Sequence, residues 1–171
     1  TIKISIKEIK KRLKDYKLTQ IPWCKEGFYL EGRTDLGNLE EHNLGYIYIQ
    51  SSVSMIPPLA LNPKKEIVLD MAAAPGSKTT QMAALMNNKG LIIANDINFK
   101  RLKSLSMNIQ RCGITNTIIT QQKGKFLKQK ADKILLDSPC SGTGVIRKSP
   151  KTPLQWSLGL VKQMSNLQKS L

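Results

Sequence analysis

The sequence predicts an α/β fold in which helices cover a parallel sheet, and three observations lead to that prediction. After residue 66, four short apolar runs of strand length alternate with segments of helical periodicity. The runs are continuously apolar, as strands buried within a parallel sheet are. A glycine turn at Gly76 separates the first run from the helix that follows. Strands and helices in this order form a parallel sheet with helices on both faces.

Residues 1–44 are predicted to form a small N-terminal α+β module. Isoleucines alternate with polar residues within residues 2–6, which predicts a short strand. Apolar residues then recur at helical spacing, so a helix should follow and end before Pro22. A second strand is expected at residues 28–30, and residues 32–43 are loop-like. The apolar face of the predicted helix consists of Ile6, Ile9, Leu13 and Tyr16.

Residues 45–171 are predicted to form the main domain. Its first segments are a strand at residues 46–49 and a short helix at residues 54–61, with two prolines near the start of that helix. The strands of the parallel sheet are then expected at 67–69, 91–94, 117–119 and 134–136. Helices are expected at 76–86, 99–109 and 160–171.

Positive charge is the strongest signal in the composition. The chain carries 27 basic and 12 acidic residues, for a net charge of +15. Residues 1–20 contain seven basic and two acidic residues, and residues 121–151 contain eight and two, whereas the middle is nearly balanced. Two separated basic blocks favour a polyanionic partner such as nucleic acid. The alternative is a lysine-rich surface that is merely solvated.

Several other classes of protein are disfavoured. No apolar run reaches the roughly 18 residues that a membrane span requires, and the first residues do not resemble a signal peptide. We therefore expect no membrane partner and a cytoplasmic location. The three cysteines, Cys24, Cys112 and Cys140, are far apart, and His42 is the only histidine. Neither a metal site nor a disulfide framework is predicted.

The main candidate for a ligand site is a turn between the first sheet strand and its helix. Its small residues let a ligand approach the backbone, and the free amides at the helix start favour a carboxylate. The spacing matches neither a P-loop nor the dinucleotide motif GxGxxG. The alternative is an ordinary tight turn. The segment reads Asp70-Met71-Ala72-Ala73-Ala74-Pro75-Gly76-Ser77-Lys78-Thr79.

Two further strands end in residues that can carry chemistry at the same edge of the sheet. Asp96 ends the second strand, where a carboxylate can accept both hydroxyls of a ribose, although it could instead only cap the next helix. The fourth strand ends in Asp137-Ser138-Pro139-Cys140. A thiol at Cys140 could attack a pyrimidine ring, or it could be a buried structural cysteine, as we expect of Cys24 and Cys112.

Together, residues 70–79, 96–102 and 137–144 resemble the Sun/NSUN family of RNA 5-methylcytosine methyltransferases, and residues 22–29 are similar to archaeal tRNA-type members. The resemblance implies a Rossmann-like fold that binds S-adenosyl-L-methionine, and RNA as the partner. It implies that Asp96 and Arg101 hold the ribose, that Asp137 lies between cofactor and cytosine, and that Cys140 assists product release. The methionine end of the cofactor would contact Ala72, Ala73, Ala74, Pro75, Gly76, Ser77 and Lys78.

The sequence departs from the family pattern at two places. No cysteine follows Cys140, so the nucleophile of the family is expected in a C-terminal segment, or a second chain, that completes the sheet. The acid expected after the third strand is also absent from residues 121–126. The preferred substrate is tRNA, with rRNA as the alternative. A DNA methyltransferase that uses Cys140 as nucleophile, and an inactive RNA-binding remnant, remain as rivals.

Overall fold

In the computed structural model, which describes residues 1–146 and 149–171, an N-terminal two-stranded sheet precedes a four-stranded parallel sheet. The strands are β1 (Lys17–Gln20), β2 (Phe28–Glu31), β3 (Ile67–Asp70), β4 (Leu91–Asn95), β5 (Thr117–Thr120) and β6 (Lys133–Leu135). The helices are α1 (Ile6–Arg12), α2 (Glu40–Asn43), α3 (Ile56–Leu61), α4 (Ser77–Leu85), α5 (Phe99–Arg111), α6 (Thr152–Gln155) and α7 (Leu158–Lys169).

The main sheet has the strand order β5-β4-β3-β6, and all of its pairs are parallel. β3 is central, with Asp70 beside Ala94 of β4 on one side and beside Leu135 of β6 on the other. The carboxyl ends of the strands therefore meet at one edge, where open parallel sheets bind their ligands. This arrangement confirms the predicted α/β fold and its four sheet strands.

Helices α4 and α5 pack on the same face of the sheet and form the main core with it. Both belong to right-handed crossovers that advance in one direction across the sheet, from β3 to β4 and from β4 to β5. One cluster of buried side chains joins the helices to alternate strand residues. Its members include Val68, Ile92, Ala94, Met82, Met86, Leu102, Leu105, Ile109 and Leu135.

The opposite face of the sheet is only partly covered: Leu69 on that face is buried, whereas several isoleucines are exposed. Helices on both faces therefore stay a prediction. Ile67 is 40% exposed, and Ile118 and Ile134 are each 54% exposed. Ile118 and Ile134 lie on the face of Leu69, because Leu69 pairs with Ile134 and, through Ile93, with Ile118. Strand residues alternate between faces, which places these side chains away from α4 and α5.

Two of the predicted strands do not form. Ser5 caps α1 by accepting a hydrogen bond from the Glu8 amide at 3.2 Å. Helix α1 therefore begins at Ile6, within the segment that was predicted to be a strand. α1 ends at Arg12, and the residues just before Pro22 form β1 instead of helix. Residues 46–49 form no strand. Their backbone bonds elsewhere: Ile47 accepts from the Arg111 guanidinium at 3.2 Å and donates to the Glu41 carbonyl.

The N-terminal module lies against α5. The Lys3 ammonium donates to the carbonyl oxygens of Leu44 and Arg111, at 2.8 and 2.9 Å. Gly45 passes so close to α5 that an added Cβ would lie 1.7 Å from the Arg111 oxygen. A boundary near residue 44 stays a prediction. Among the described helices, none has the length and apolar character needed to cross a membrane.

Candidate active site

The turn after β3 holds the residues predicted to bind the cofactor. Ala73 and Ala74 are buried, and the Ala73 amide donates to the carbonyl oxygen of Asn95 at 2.7 Å. α4 begins directly after Gly76 and has no side-chain cap. Its first amides are thus available to an anion, because the first turn of a helix has no acceptors of its own. The rest of the turn is at least partly exposed, and consists of Ala72, Pro75, Ser77 and Lys78.

Gly76 is required for a reason that the sequence did not suggest. We expected the missing side chain to leave room for a ligand. That stays a prediction, and a Cβ at Gly76 would in addition lie 2.9 Å from Cδ1 of Leu105, within the interface with α5. The residue also has a φ of 109°, in the region that side chains rarely adopt. Gly76 therefore allows the helix packing and the shape of the turn.

Asp70 is a buried carboxylate beneath this turn, and its role was not predicted. It is 1% exposed, and Oδ2 accepts a hydrogen bond from the Thr79 hydroxyl at 2.7 Å. Burial raises the pKa of Asp70 to about 6, although the Thr79 hydroxyl and the Lys78 ammonium both favour the charged form. Asp70 thus links the end of β3 to the first turn of α4. An acid that ends a buried strand was the available signal.

Asp96 binds the protein backbone on both of its oxygens. Oδ2 accepts from the Ala74 amide at 3.2 Å, and Oδ1 accepts from the Asn98 amide at 2.9 Å. The Arg101 guanidinium lies 3.3 Å from Oδ2 and also donates to the Ala74 carbonyl oxygen. The structure therefore brings the two predicted ribose ligands together against the cofactor turn. Oδ2 thus faces two donors, whereas Oδ1 accepts from one amide and has a second lone pair that can accept a hydroxyl.

Asn95 connects three strand ends and was missed in the sequence. Its amide nitrogen donates to the carbonyl oxygens of Met71 and Gln122, at 3.2 and 2.9 Å. Its amide oxygen accepts from the Thr120 hydroxyl and from the Gln122 amide, at 3.1 and 2.8 Å. The side chain is 1% exposed, so these bonds are shielded from water. Asn95 holds the loops after β3 and β5 in fixed positions on either side of β4.

The second half of the site follows β6. The Lys78 ammonium lies 2.6 Å from Oδ2 of Asp137, with side chains 14% and 56% exposed respectively. This ion pair joins the cofactor turn to the loop that carries Cys140. The thiol is exposed, and its sulfur accepts from the Gly142 amide at 3.4 Å. Cys24 and Cys112 are buried, as expected of structural cysteines, and burial raises the pKa of both thiols.

The loop after β5 contains no acid, in agreement with the departure seen in the sequence. It forms a short turn of 3₁₀ helix at Gly124–Phe126, flanked by Lys123. A Cβ at Gly124 would lie 2.5 Å from Leu171 and 3.3 Å from the Met71 side chain. Asp132, the next acid along the chain, accepts from the Ile67 amide at the amino ends of the strands. It therefore cannot replace the expected acid.

The two basic blocks are largely exposed. In the first, Lys7, Lys11 and Lys14 face solvent, whereas Arg12 lies 3.1 Å from Glu41 and 3.6 Å from Glu40. Arg12 therefore has a structural role besides its charge. The exposed lysines of the second block are Lys123, Lys125, Lys128, Lys130 and Lys151. Two more residues of that block, Arg147 and Lys148, lie outside the described residues.

A cavity of about 890 Å³ lies between the N-terminal module and the start of the main domain, and of the predicted cofactor-binding residues only Ser77 lines it. Its lining is mainly apolar and includes Ile9, Leu13, Tyr48 and Met55. None of Asp96, Asp137 and Cys140 belongs to that lining. The carboxyl edge of the sheet, where the predicted ligand groups converge, is therefore the better candidate for the active site.

Comparison with known proteins assigns the chain to a family. Residues 58–171 match the family model described as 16S rRNA methyltransferase RsmB/F. The chain belongs to the RsmB/F family. Residues 1–52 match the N-terminal domain of the 16S rRNA methyltransferase RsmF. The resemblance to Sun-type RNA methyltransferases is thereby confirmed.

Curated relatives in the RsmB/F family are longer than this chain. Ribosomal RNA small subunit methyltransferase F of Vibrio cholerae is 46% identical over 183 residues, which cover 100% of the chain and 39% of the relative. The protein of that name from Pectobacterium carotovorum is also 46% identical, with 38% of its length covered. The expected tRNA substrate has no support in these names, which specify ribosomal RNA.

Solved structures of RsmB/F-like proteins share the fold. A methyltransferase homologue from Pyrococcus horikoshii is 40% identical, with a TM-score of 0.87 over 99% of this chain and 55% of its own. NSun6 from the same organism, solved with SFG, is 37% identical, with a TM-score of 0.75 over 84% of this chain and 39% of its own. The fold is thus the Rossmann-like fold of S-adenosylmethionine-dependent methyltransferases.

Proposed function

We propose that this chain forms the cofactor-binding part of an enzyme that transfers a methyl group from S-adenosyl-L-methionine to carbon 5 of cytosine in ribosomal RNA. The ion pair between Lys78 and Asp137 carries the proposal, because it joins the cofactor turn to the loop of Cys140. A bound cofactor and a thiol would then share one crevice at the carboxyl edge of the sheet. Membership of the RsmB/F family supports RNA methylation.

The residues of the turn fit the cofactor. The uncapped amides of α4 suit the carboxylate of its methionine end, and the small residues from Ala72 to Ala74 allow the backbone to approach it. Asp96, oriented by Arg101, accepts the ribose hydroxyls. When bound, S-adenosyl-L-methionine supplies an electrophilic methyl group on its sulfonium. Residues 121–126 offer no carboxylate to the adenine amine, so this interaction has to be replaced or lost.

The loop after β6 positions the base. Asp137 is half-exposed, and its carboxylate can accept a hydrogen bond from the exocyclic amine of cytosine. The ion pair with Lys78 holds that carboxylate in place. By resemblance to the family, Cys140 assists release of the methylated product. The thiolate that attacks carbon 6 would come from a segment that follows in longer members of the family.

The cofactor part of the proposal is tested by calorimetry on the 171-residue chain. We expect S-adenosyl-L-methionine to bind, and Asp96→Asn to weaken binding by roughly tenfold, because hydrogen bonds to a charged acceptor contribute about 1.5–3 kcal/mol. Asp132→Asn, at the opposite edge of the sheet, is the matched control and should leave the affinity unchanged. Equal affinity in Asp96→Asn would remove Asp96 from the site.

The reaction and its substrate are tested by tritiated methyl transfer. Unmodified small-subunit rRNA and unmodified tRNA are offered to the chain alone and to a longer protein that carries the family's nucleophile motif. We expect turnover by the longer protein only, with rRNA preferred. Turnover by the chain alone that is abolished by Cys140→Ser would instead identify Cys140 as the nucleophile. Preference for tRNA would contradict the proposed substrate.

A further inference from the structure

The chain that follows the Cys140 loop folds back and encloses a second, small concavity. It has a volume of about 260 Å³ and is lined by Thr143, Ile146, Thr152, Pro153 and Trp156. The concavity adjoins the loop directly. A Cβ added to Gly142, two residues after Cys140, would lie 3.5 Å from Thr152 Cγ2 and 3.8 Å from Val145 Cγ2. A ligand in this concavity would therefore sit beside the proposed target base.

The surface around the concavity is unusually apolar for a part of the molecule that faces solvent. Trp156 is 44% exposed, Ile146 is 46% exposed and Val145 is 48% exposed. Leu154, two residues before Trp156, is 87% exposed. Apolar side chains grouped in this way on a surface mark places where another molecule binds. The planar indole and its aliphatic neighbours form an almost wholly apolar lining, which suits the flat face of a ring.

Charge indicates what that ligand is. The concavity lies within and next to the second basic block, residues 121–151, which has eight basic and two acidic residues, and Lys151 beside Thr152 is exposed. A polyanion is favoured over an apolar protein segment on such a surface. An unpaired nucleotide has both a negative charge and an apolar ring, because its phosphate binds lysines and its base stacks on aromatic side chains.

We propose that this concavity binds the base of an unpaired nucleotide next to the target cytosine, stacked on Trp156. The proposal rests on the proposed function, in that it assumes an RNA substrate at the Cys140 loop. It adds a requirement that the target stand in a single-stranded context, because a neighbouring base inside a duplex is not free to stack on protein. Trp156 would then favour RNA in which the base next to the target cytosine is unpaired.

The two tryptophans of the chain provide a matched test. Trp23, in the N-terminal module, is 45% exposed, almost the same as Trp156, and its indole donates to the Ser52 carbonyl at 3.1 Å. In Trp23→Phe the fluorescence reports Trp156 alone, and in Trp156→Phe it reports Trp23 alone. The probe is an eight-nucleotide single-stranded RNA with one cytosine, used intact and with both neighbours of the cytosine made abasic.

We expect the intact RNA to quench the fluorescence of Trp156 in Trp23→Phe, and the abasic RNA to quench it much less. Anisotropy of labelled RNA should show that Trp156→Leu weakens binding of the intact RNA by roughly tenfold, within the range for loss of one base–aromatic stack. Trp156→Phe retains an aromatic ring and should bind within about twofold of the unsubstituted chain. Trp156→Leu should bind the abasic RNA as the unsubstituted chain does.

Other results would overturn the proposal in recognisable ways. If the intact RNA binds equally well to Trp156→Leu, the stacking subsite is wrong while the proposed function stands. An equal loss for intact and abasic RNA in Trp156→Leu would mean that no base is bound there. If the unsubstituted chain binds cofactor but no RNA, the RNA part of the proposed function fails as well. Self-association that Trp156→Leu abolishes, without an effect on RNA, would identify a second copy of the chain as the occupant.

Discussion

At the scale of single residues, the burial of the Asp70 carboxylate at the candidate site is energetically unfavourable. A carboxylate that is 1% exposed loses its hydration, and this loss raises the pKa of Asp70 from its ordinary value of 3.8 to about 6. The Thr79 hydroxyl, 2.7 Å away, recovers part of the lost solvation. Asp70 thereby ties the turn to the sheet, at the expense of stability near neutral pH.

The raised pKa of Asp70 predicts how stability depends on pH. Its contribution is fully present below pH 3.8 and is lost as the pH rises through about 6, because the folded state holds the proton more tightly than the unfolded state. Titration of Asp70 should therefore lower the free energy of unfolding by roughly 2 kcal/mol between pH 4 and pH 7.5. Denaturant unfolding of Asp70→Asn across this range should lack that decrease.

Thr79→Val is the companion variant for the Asp70 experiment. It removes a hydrogen bond that favours the charged carboxylate, so it should raise the pKa of Asp70 further and enlarge the decrease in stability. The explanation fails if Asp70→Asn keeps the full decrease, since some other group would then titrate in this range.

Gly76 supports a second prediction at this scale. Gly76→Ala should lower the free energy of unfolding by about 2–4 kcal/mol, through strain at φ 109° and through contact with Leu105. Gly37→Ala is the control, because its Cβ would meet no atom within 4 Å and its φ is not in the left-handed region. Denaturant unfolding measures both. Similar losses in the two variants would refute a specific role for Gly76 in the packing of α5.

At the scale of elements, α1 has one face in the core of the N-terminal module and another face of lysines. Ile9 is its buried residue, and Lys10, Lys11 and Arg12 lie in its last turn, where they complement the helix dipole. Lys10 lies 4.8 Å from the centroid of the Phe28 ring. Lys10 and Arg12 therefore have partly structural roles. The other lysines of this segment, Lys7, Lys11 and Lys14, are exposed to solvent.

The exposed lysines of this module are predicted to bind RNA phosphates. Log affinity for RNA should fall linearly with log salt concentration, and replacing Lys7, Lys11 and Lys14 with Gln should reduce the slope by about 2. The control replaces Lys64, Lys65 and Lys89, three exposed lysines near the amino ends of β3 and β4. It removes the same charge from the edge opposite the site. If both triple variants give the same slope of log affinity against log salt concentration, the effect comes from net charge alone and the lysines of the N-terminal module have no specific role.

At the scale of the whole molecule, the face of the main sheet opposite α4 and α5 is only partly covered in the described residues. Ile67, Ile118 and Ile134 are 40–54% exposed on this face, and β6 is an edge strand of three residues. Exposed apolar sheet faces and unpaired edges promote association. The chain spans 39% of its Vibrio cholerae relative, and we expect a C-terminal segment or a second chain to cover this face.

This open face predicts self-association of the 171-residue chain. Sedimentation velocity should show concentration-dependent association, and Ile118→Thr combined with Ile134→Thr should reduce it, because less apolar surface is then buried between chains. Met107→Gln, on α5, removes an apolar side chain that is 69% exposed from a different surface and is the control. If the control reduces association as much as the double variant, the sheet face is not the contact.

The elements that could be predicted from sequence are those whose patterns are local. β3, β4 and β5 are short apolar runs that alternate with helices, and Asp96 is a candidate because it follows such a run. Residues 46–49 have the same local pattern but no strand to pair with. Arg111, which is distant in sequence, donates a hydrogen bond to the Ile47 carbonyl oxygen, an acceptor that a neighbouring strand would otherwise have used.

The sequence by itself determined the α/β class and the positive charge, and it made candidates of the turn at residues 72–78, the acids Asp96 and Asp137, and the loop thiol of Cys140. These features depend on residue type and short spacing. Only the tertiary structure decided that Lys78 contacts Asp137, that Asn95 joins three strand ends, and that Gly76 makes room for Leu105. These are contacts between residues distant along the chain, and they depend on how the strands and helices pack, which local patterns do not specify.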